Sequence, residues 1–172
     1  MKIHHPFHHQ FEVLTVMLMF LLLFSMIAPS FAYDTDDFQF THVWKTQPQI
    51  VLCDDAKITS WSVISAIAFW NNVGIDVKTD IVQKVCHSNF SEGEIQITAQ
   101  RDLNLIKYYG YTERRFEGKI LNAATIKIED ASSENLELLV HELGHALGIG
   151  HEKDDLSHIM HTHLVDNDTR WE

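Results

Sequence analysis

The chain has 172 residues, 45% hydrophobic and 22% charged, the balance of an ordinary globular protein built around one core. Its formal net charge of -11 offers no basic surface for tracking phosphates, so nucleic acid is not an expected partner. The two cysteines, Cys53 and Cys86, stand in no C-x-x-C pair, which disfavours a cysteine zinc site.

In chain order, Lys2 and the amino terminus precede an apolar run from Val13 to Ala28, followed by Pro29, Ser30, Phe31 and Ala32. The run is short for a bilayer span, and Ser30 and Ala32 suit a small-residue cleavage site. Residues 1–32 are therefore expected to be a signal peptide cut after Ala32, leaving a secreted or extracytoplasmic protein. An uncleaved anchor is the alternative, and a membrane is an expected partner only in that case. His4, His5, His8 and His9 would leave with the signal.

Residues 33–48 are polar and without clear period, and read as an extended arm before a domain over residues 49–172. Gln49 to Cys53 has strand character. Thr59 or Ser60 can cap a helix in which Trp61, Ile64 and Ala68, then Val63, Ile67 and Trp70, recur at helical spacing until Gly74. Asp76 to Cys86 and Glu94 to Thr98 alternate as strands. Arg101 to Lys119 reads as a loop carrying one partly exposed edge strand, and Ile120 to Asp130 as a further strand before Ser132 and Ser133, which offer helix caps. In the next helix Leu136, Leu139, Val140 and Leu143 define a buried stripe. Helix, strands, then helix argues for α/β layers with a mixed sheet, an α+β class.

The chemistry sits on that last helix. His141 and His145 are four residues apart, hence on one face, where both ring nitrogens can reach one ion about 2.0–2.1 Å away. Gly148 lets the helix stop and the chain turn, bringing His151 to the same ion. Three neutral imidazoles leave a fourth tetrahedral position for water, as in catalytic zinc sites, and Glu142 stands ready to accept that water's proton. Bare H-E-x-x-H is a weak signal; the glycine and third histidine make it strong. His158, His161 and His163 read as loop residues near a cleft rim, with a second ion as the alternative. Acidic clusters such as Asp34, Asp36 and Asp37 read as solvated loops, although carboxylates of this kind also suit a structural Ca2+.

His141-Glu142-x-x-His145-x-x-Gly148-x-x-His151 resembles the extended zinc signature of the metzincin metallopeptidases, and Ser157-His158-Ile159-Met160 resembles their methionine turn. The spacing to Met160 is closer to the compact matrixin-like branch, while Glu152 is similar to the astacin pattern. The resemblance implies a zincin fold with a twisted mixed five-stranded sheet, a backing helix and an active-site helix. It also implies a substrate laid extended along an edge strand around Tyr108 to Arg114, and neighbouring strand ends at Cys53 and Cys86 where a disulfide is conceivable. Three departures are expected. The closing carboxy-terminal subdomain is truncated to about a turn near Asp166 to Glu172, no inhibitory cysteine motif precedes the domain, and His161 to Leu164 lacks the proline and tyrosine usual in the pocket wall.

These readings lead to one expectation: a monomeric zinc endopeptidase acting on protein or peptide substrates, with Zn2+ on His141, His145 and His151 and Glu142 as general base. The alternative is an exported zinc-binding or partner-binding module without catalysis.

Overall fold

The computed structural model describes residues 35–87, 90–99, 109–129 and 135–161. The expected signal peptide with its histidines, the start of the tyrosine-rich segment up to Tyr108, the caps at Ser132 and Ser133, His163 and the carboxy-terminal turn lie outside the described residues.

A single 3-10 turn at Thr35–Asp37 leads into strands β1 (Val43–Trp44) and β2 (Gln49–Cys53), helix α1 (Ser60–Asn72), strands β3 (Ile81–Lys84), β4 (Glu94–Ala99), β5 (Gly110–Glu117) and β6 (Ile120–Ile128), and helix α2 (Leu136–Leu147). Among the described residues the result is a mixed α/β domain with one largely parallel sheet and two helices. Its pairings β1–β6, β4–β6, β2–β4 and β2–β3 are parallel; β5–β6 alone is antiparallel. Ile120 pairs with both Val43 and Glu117, and Ala124 with both Ile95 and Arg114, so β6 takes β5 along one side and β1 followed by β4 along the other. That leaves β5 at the margin of the sheet.

The sheet has six strands where five were expected. The extra one, β1, lies in the segment read as an arm; two residues carry no detectable period, and its pairing comes from the start of β6. That segment is anchored to the domain in other ways too. Phe38 is buried in the core, and the Trp44 indole donates to Ala146 O on α2 at 2.9 Å. β3 is shorter than the alternation over Asp76 to Cys86 suggested, since Val77 is buried ahead of the strand instead of pairing within it. Within Arg101 to Lys119 the expected partly exposed edge strand is β5, Gly110–Glu117.

Parallel strands covered on their faces read as unbroken apolar runs, which accounts for Ile50, Val51, Leu52 and Cys53 all being buried. α1 begins at Thr59, whose hydroxyl accepts the Ser62 N–H at 3.1 Å. Of its two apolar stripes, Val63, Ala66, Ile67 and Trp70 are buried, whereas Trp61 is 73% exposed and Ile64 48%. Both stripes fit a helix, but a helix lying on a sheet buries only one face. α2 is capped by Asn135, whose side chain accepts the Leu138 N–H at 3.0 Å. Leu139, Val140 and Leu143 are buried as the stripe predicts, while Leu136 lies 39% exposed in the first turn. Cys53 at the end of β2 and Cys86 just beyond β3 are joined in a disulfide with Cα atoms 5.5 Å apart, tying parallel neighbours together.

Candidate metal centre

Helix α2 ends on Gly148, whose φ of 103° lies in the left-handed region that L side chains avoid. Gly148 N–H donates to His145 O and Ile149 N–H to Gly144 O, each at 3.0 Å, closing the helix with a Schellman-type turn. A Cβ on Gly148 would collide with His42 O. The carbonyl of Gly148 accepts three hydrogen bonds from the preceding arm: Thr41 N–H (2.9 Å), His42 N–H (3.2 Å) and the Thr41 hydroxyl (3.0 Å). Gly150 N–H then donates to Gln39 O at 2.8 Å, and Glu152 N–H to Met160 O at 2.8 Å. The loop bearing His151 is thus held on one side by the arm and on the other by the Met160 segment.

This loop brings three imidazoles together. Nε2 of His145 lies 3.0 Å from Nε2 of both His141 and His151. Two nitrogens each bonded to one tetrahedral ion at 2.0–2.1 Å stand about 3.3 Å apart, so the spacing suits shared coordination. The other ring nitrogens are engaged. Nδ1–H of His141 donates to Ile159 O at 2.7 Å and Nδ1–H of His145 to Ile149 O at 3.0 Å, which turns each Nε2 lone pair toward the common point. Burial holds the His141 imidazole down to about 4 and the His145 imidazole down to about 3, so both are neutral at neutral pH, the form that ligates a metal. These three histidines could hold a metal ion. Among the described residues they are the one group of three or more His, Cys, Asp or Glu side chains close enough to do so. No acidic trio that would suit calcium occurs there, and His158 and His161, though buried, stand outside the cluster. Glu152 is turned to local use, its carboxylate accepting the N–H groups of Lys153 and Asp154.

Glu142 is 2% exposed. Burial raises its carboxyl to about 7, against the opposing pull of a hydrogen bond from Thr112 and of the Arg114 charge. Thr112 Oγ1 lies 2.6 Å from Glu142 Oε2 and 2.9 Å from the Glu142 carbonyl oxygen. With one hydrogen to give, the hydroxyl donates to Oε2 when the carboxyl is ionised. When the carboxyl is protonated, Glu142 donates to Thr112 and the hydroxyl turns to the carbonyl. In either protonation state a hydrogen bond joins the Thr112 hydroxyl and the Glu142 carboxyl.

Beneath the helix, Met160 is fully buried against Gly144. A Cβ on Gly144 would sit 2.5 Å from Met160 Sδ and 2.6 Å from Trp70 Cζ2, so only glycine lets α2 settle this close. The Trp70 indole donates to Val140 O at 3.0 Å, and its ring meets Phe38 edge-on at 5.0 Å. The zinc-signature pattern leaves the residue at Gly144 open. An isolated glycine inside a helical pattern was the available signal. Thr112, thirty residues from Glu142 and on another element, gave none.

The fold and the site together define an α/β domain whose sheet and backing helix support a helix bearing a three-histidine cluster. The model of the Peptidase M66 family matches residues 46–171, and the chain belongs to that family; it is a peptidase, acting on protein or peptide substrates. The match includes all three histidines and Glu142, while Phe38 to Trp44, which clamp the third-histidine loop, precede it. No curated protein matches the chain.

Proposed function

We propose that the chain is a zinc-dependent endopeptidase of metzincin type, compact and matrixin-like in its spacing, with His141, His145 and His151 as metal ligands and Glu142 as general base. The observation that carries this reading is the convergence of three imidazoles, two with Nδ1 tied to backbone carbonyls, beside a buried carboxyl held by Thr112. Zinc held there would supply a Lewis acid and lower the pKa of a bound water from 15.7 to about 7.

The remaining work falls to the chain. Glu142 Oε atoms accept the proton of the attacking water and return it to the departing amine. Thr112 keeps that carboxylate aimed while Met160, packed under Gly144, fixes the height of the helix that carries two ligands, the part a methionine turn plays. Burial raises Glu142, and a dication held by the three histidines would lower it again, which favours the ionised base. The outer side of β5, unpaired among the described residues, offers backbone groups to an extended peptide, which would add to the sheet as a further strand. Residues 1–32 would act as a signal peptide, placing this activity outside the cytosol.

The test is digestion of casein by the zinc-loaded protein, with and without a chelator, and by Glu142→Gln. Cleavage that is chelator-sensitive and falls at least about a hundredfold in Glu142→Gln, with zinc retained, is expected. A protein that binds zinc but cleaves nothing would instead be a binding module.

A further inference from the structure

The described residues contain three half-buried cations, and two of them are neutralised. Lys84 Nζ lies 2.6 Å from Glu94 Oε1, and Lys127 Nζ lies 3.0 Å from Glu113 Oε2. Arg114 is the third, and no carboxylate among the described residues comes within ion-pair distance of it. Its one hydrogen bond among the described residues runs from Nη1 to Thr41 Oγ1 at a long 3.4 Å. A guanidinium has five N–H donors in a rigid fork, so most of this group's donors are uncommitted. The Glu142 carboxylate opposes this charge without forming an ion pair with it, and a half-buried guanidinium whose donors stay open is costly unless something completes it.

Its place in the fold says what that is. Residues alternate across a strand, and the irregularity in β5 falls after Arg115, so Gly110, Thr112 and Arg114 share one face. That face runs along α2. A Cβ on Gly110 would meet Leu138, Thr112 bonds Glu142, and the Arg114 charge acts on both Glu142 and His145. Arg114 also reaches Thr41, whose hydroxyl is bonded to Gly148 O. Thus Arg114 follows Thr112 by two residues, about 7 Å of backbone along the margin of the sheet, on the face that runs beside α2 and its histidines. Arg115, its neighbour, is exposed and belongs to the opposite face.

We infer that Arg114 is a specificity-determining residue that receives a carboxylate side chain of the substrate, Asp or Glu, within two residues of the scissile bond. This rests on the reading that the peptide lies along β5. Paired residues of adjacent strands project to the same face, so a side chain opposite Arg114 is directed to the guanidinium as a peptide bond is directed to Glu142. A planar fork meets a carboxylate with two parallel hydrogen bonds, which an amide of the same shape cannot reproduce with charge assistance.

The experiment uses the zinc-loaded full chain and peptides blocked at both ends, made in pairs that differ only by Asp against Asn or Glu against Gln at each position flanking the cleaved bond. The readout is the ratio of kcat/KM within each pair, which is independent of how much active enzyme a preparation contains. The wild type is expected to favour the acid by about tenfold or more at one position within two residues of the bond. Arg114→Gln should bring that ratio close to one, Arg114→Glu should invert it in favour of the amide, and Arg115→Gln should leave it intact. Peptides cleaved with no acid preference, a preference that survives Arg114→Gln, or its equal loss in Arg115→Gln would overturn the assignment while leaving the peptidase reading in place. Failure to cleave either member of any pair would overturn both.

Discussion

Replacing Thr112 with valine removes the hydroxyl from Glu142 while keeping the β-branched shape that suits a strand. The lost interaction is a hydrogen bond to an ionised carboxylate in a buried setting, at 2.6 Å, and such bonds contribute about 1.5–3 kcal/mol. At about 1.4 kcal/mol per tenfold, kcat/KM should fall roughly 10- to 100-fold. A second consequence concerns pH. Burial raises the Glu142 carboxyl to about 7 and the Thr112 bond opposes that rise, so the valine variant holds its proton to higher pH. A base works only when ionised, and the acidic limb of the kcat/KM profile should move upward. Zinc content should not change, because Thr112 bonds to none of the three histidines. Thr112→Ser, which restores the hydroxyl, should recover most of the activity and return the limb. The assay is kcat/KM against pH on a fixed peptide, with zinc measured in the same samples. A Thr112→Val protein within twofold of wild type at every pH, with an unmoved limb, would refute the role assigned to this contact.

Gly144→Ala places a methyl group against Met160 Sδ and Trp70, an overpacking expected to cost about 1–3 kcal/mol in denaturant unfolding and to weaken zinc binding as α2 lifts. Unchanged unfolding and zinc affinity would show that the helix can rise without consequence. The metal-free protein should lose stability as pH falls from about 6.5 toward 4, followed by the unfolding midpoint. His141 and His145 are held neutral by burial, so the unfolded chain takes up two protons that the folded one refuses. Glu142, raised to about 7, acts in the other direction by losing stability as pH rises from about 4.5 to 7, but one carboxyl opposes two imidazoles and the net slope is upward with pH. A midpoint that is flat or rises on acidification would contradict the burial of these histidines.

Local rules carried much of the architecture. Gln49 to Cys53 and the helix from Thr59 are where propensity and capping placed them, because an apolar run and a threonine cap act over a few residues. The spacing His141, His145, Gly148, His151 foretold which side chains meet, since helix geometry and a left-handed glycine set their directions locally, although the arm and the Met160 segment hold the loop in place. What was not legible depends on contacts distant in sequence. β1 exists because Lys119 and Ile120 lie beside it, and the choice of the Trp70 stripe over the Trp61 stripe was made by the elements packed against α1. Asn135 rather than Ser132 or Ser133 caps α2, an error of a few residues inherent in reading helix starts from polar clusters. The Thr112 hydroxyl and the clamp of Thr41 on Gly148 join residues 30 and 107 positions apart, and no periodicity records such pairs.

The central claim is a tri-imidazole zinc centre, and X-ray absorption at the zinc edge of the metal-loaded protein tests it most directly. The expected spectrum has three histidine nitrogens at about 2.0–2.1 Å with the multiple-scattering signature of imidazole, completed by oxygen from solvent. Fewer than three imidazoles, or sulfur in the first coordination sphere, would contradict it.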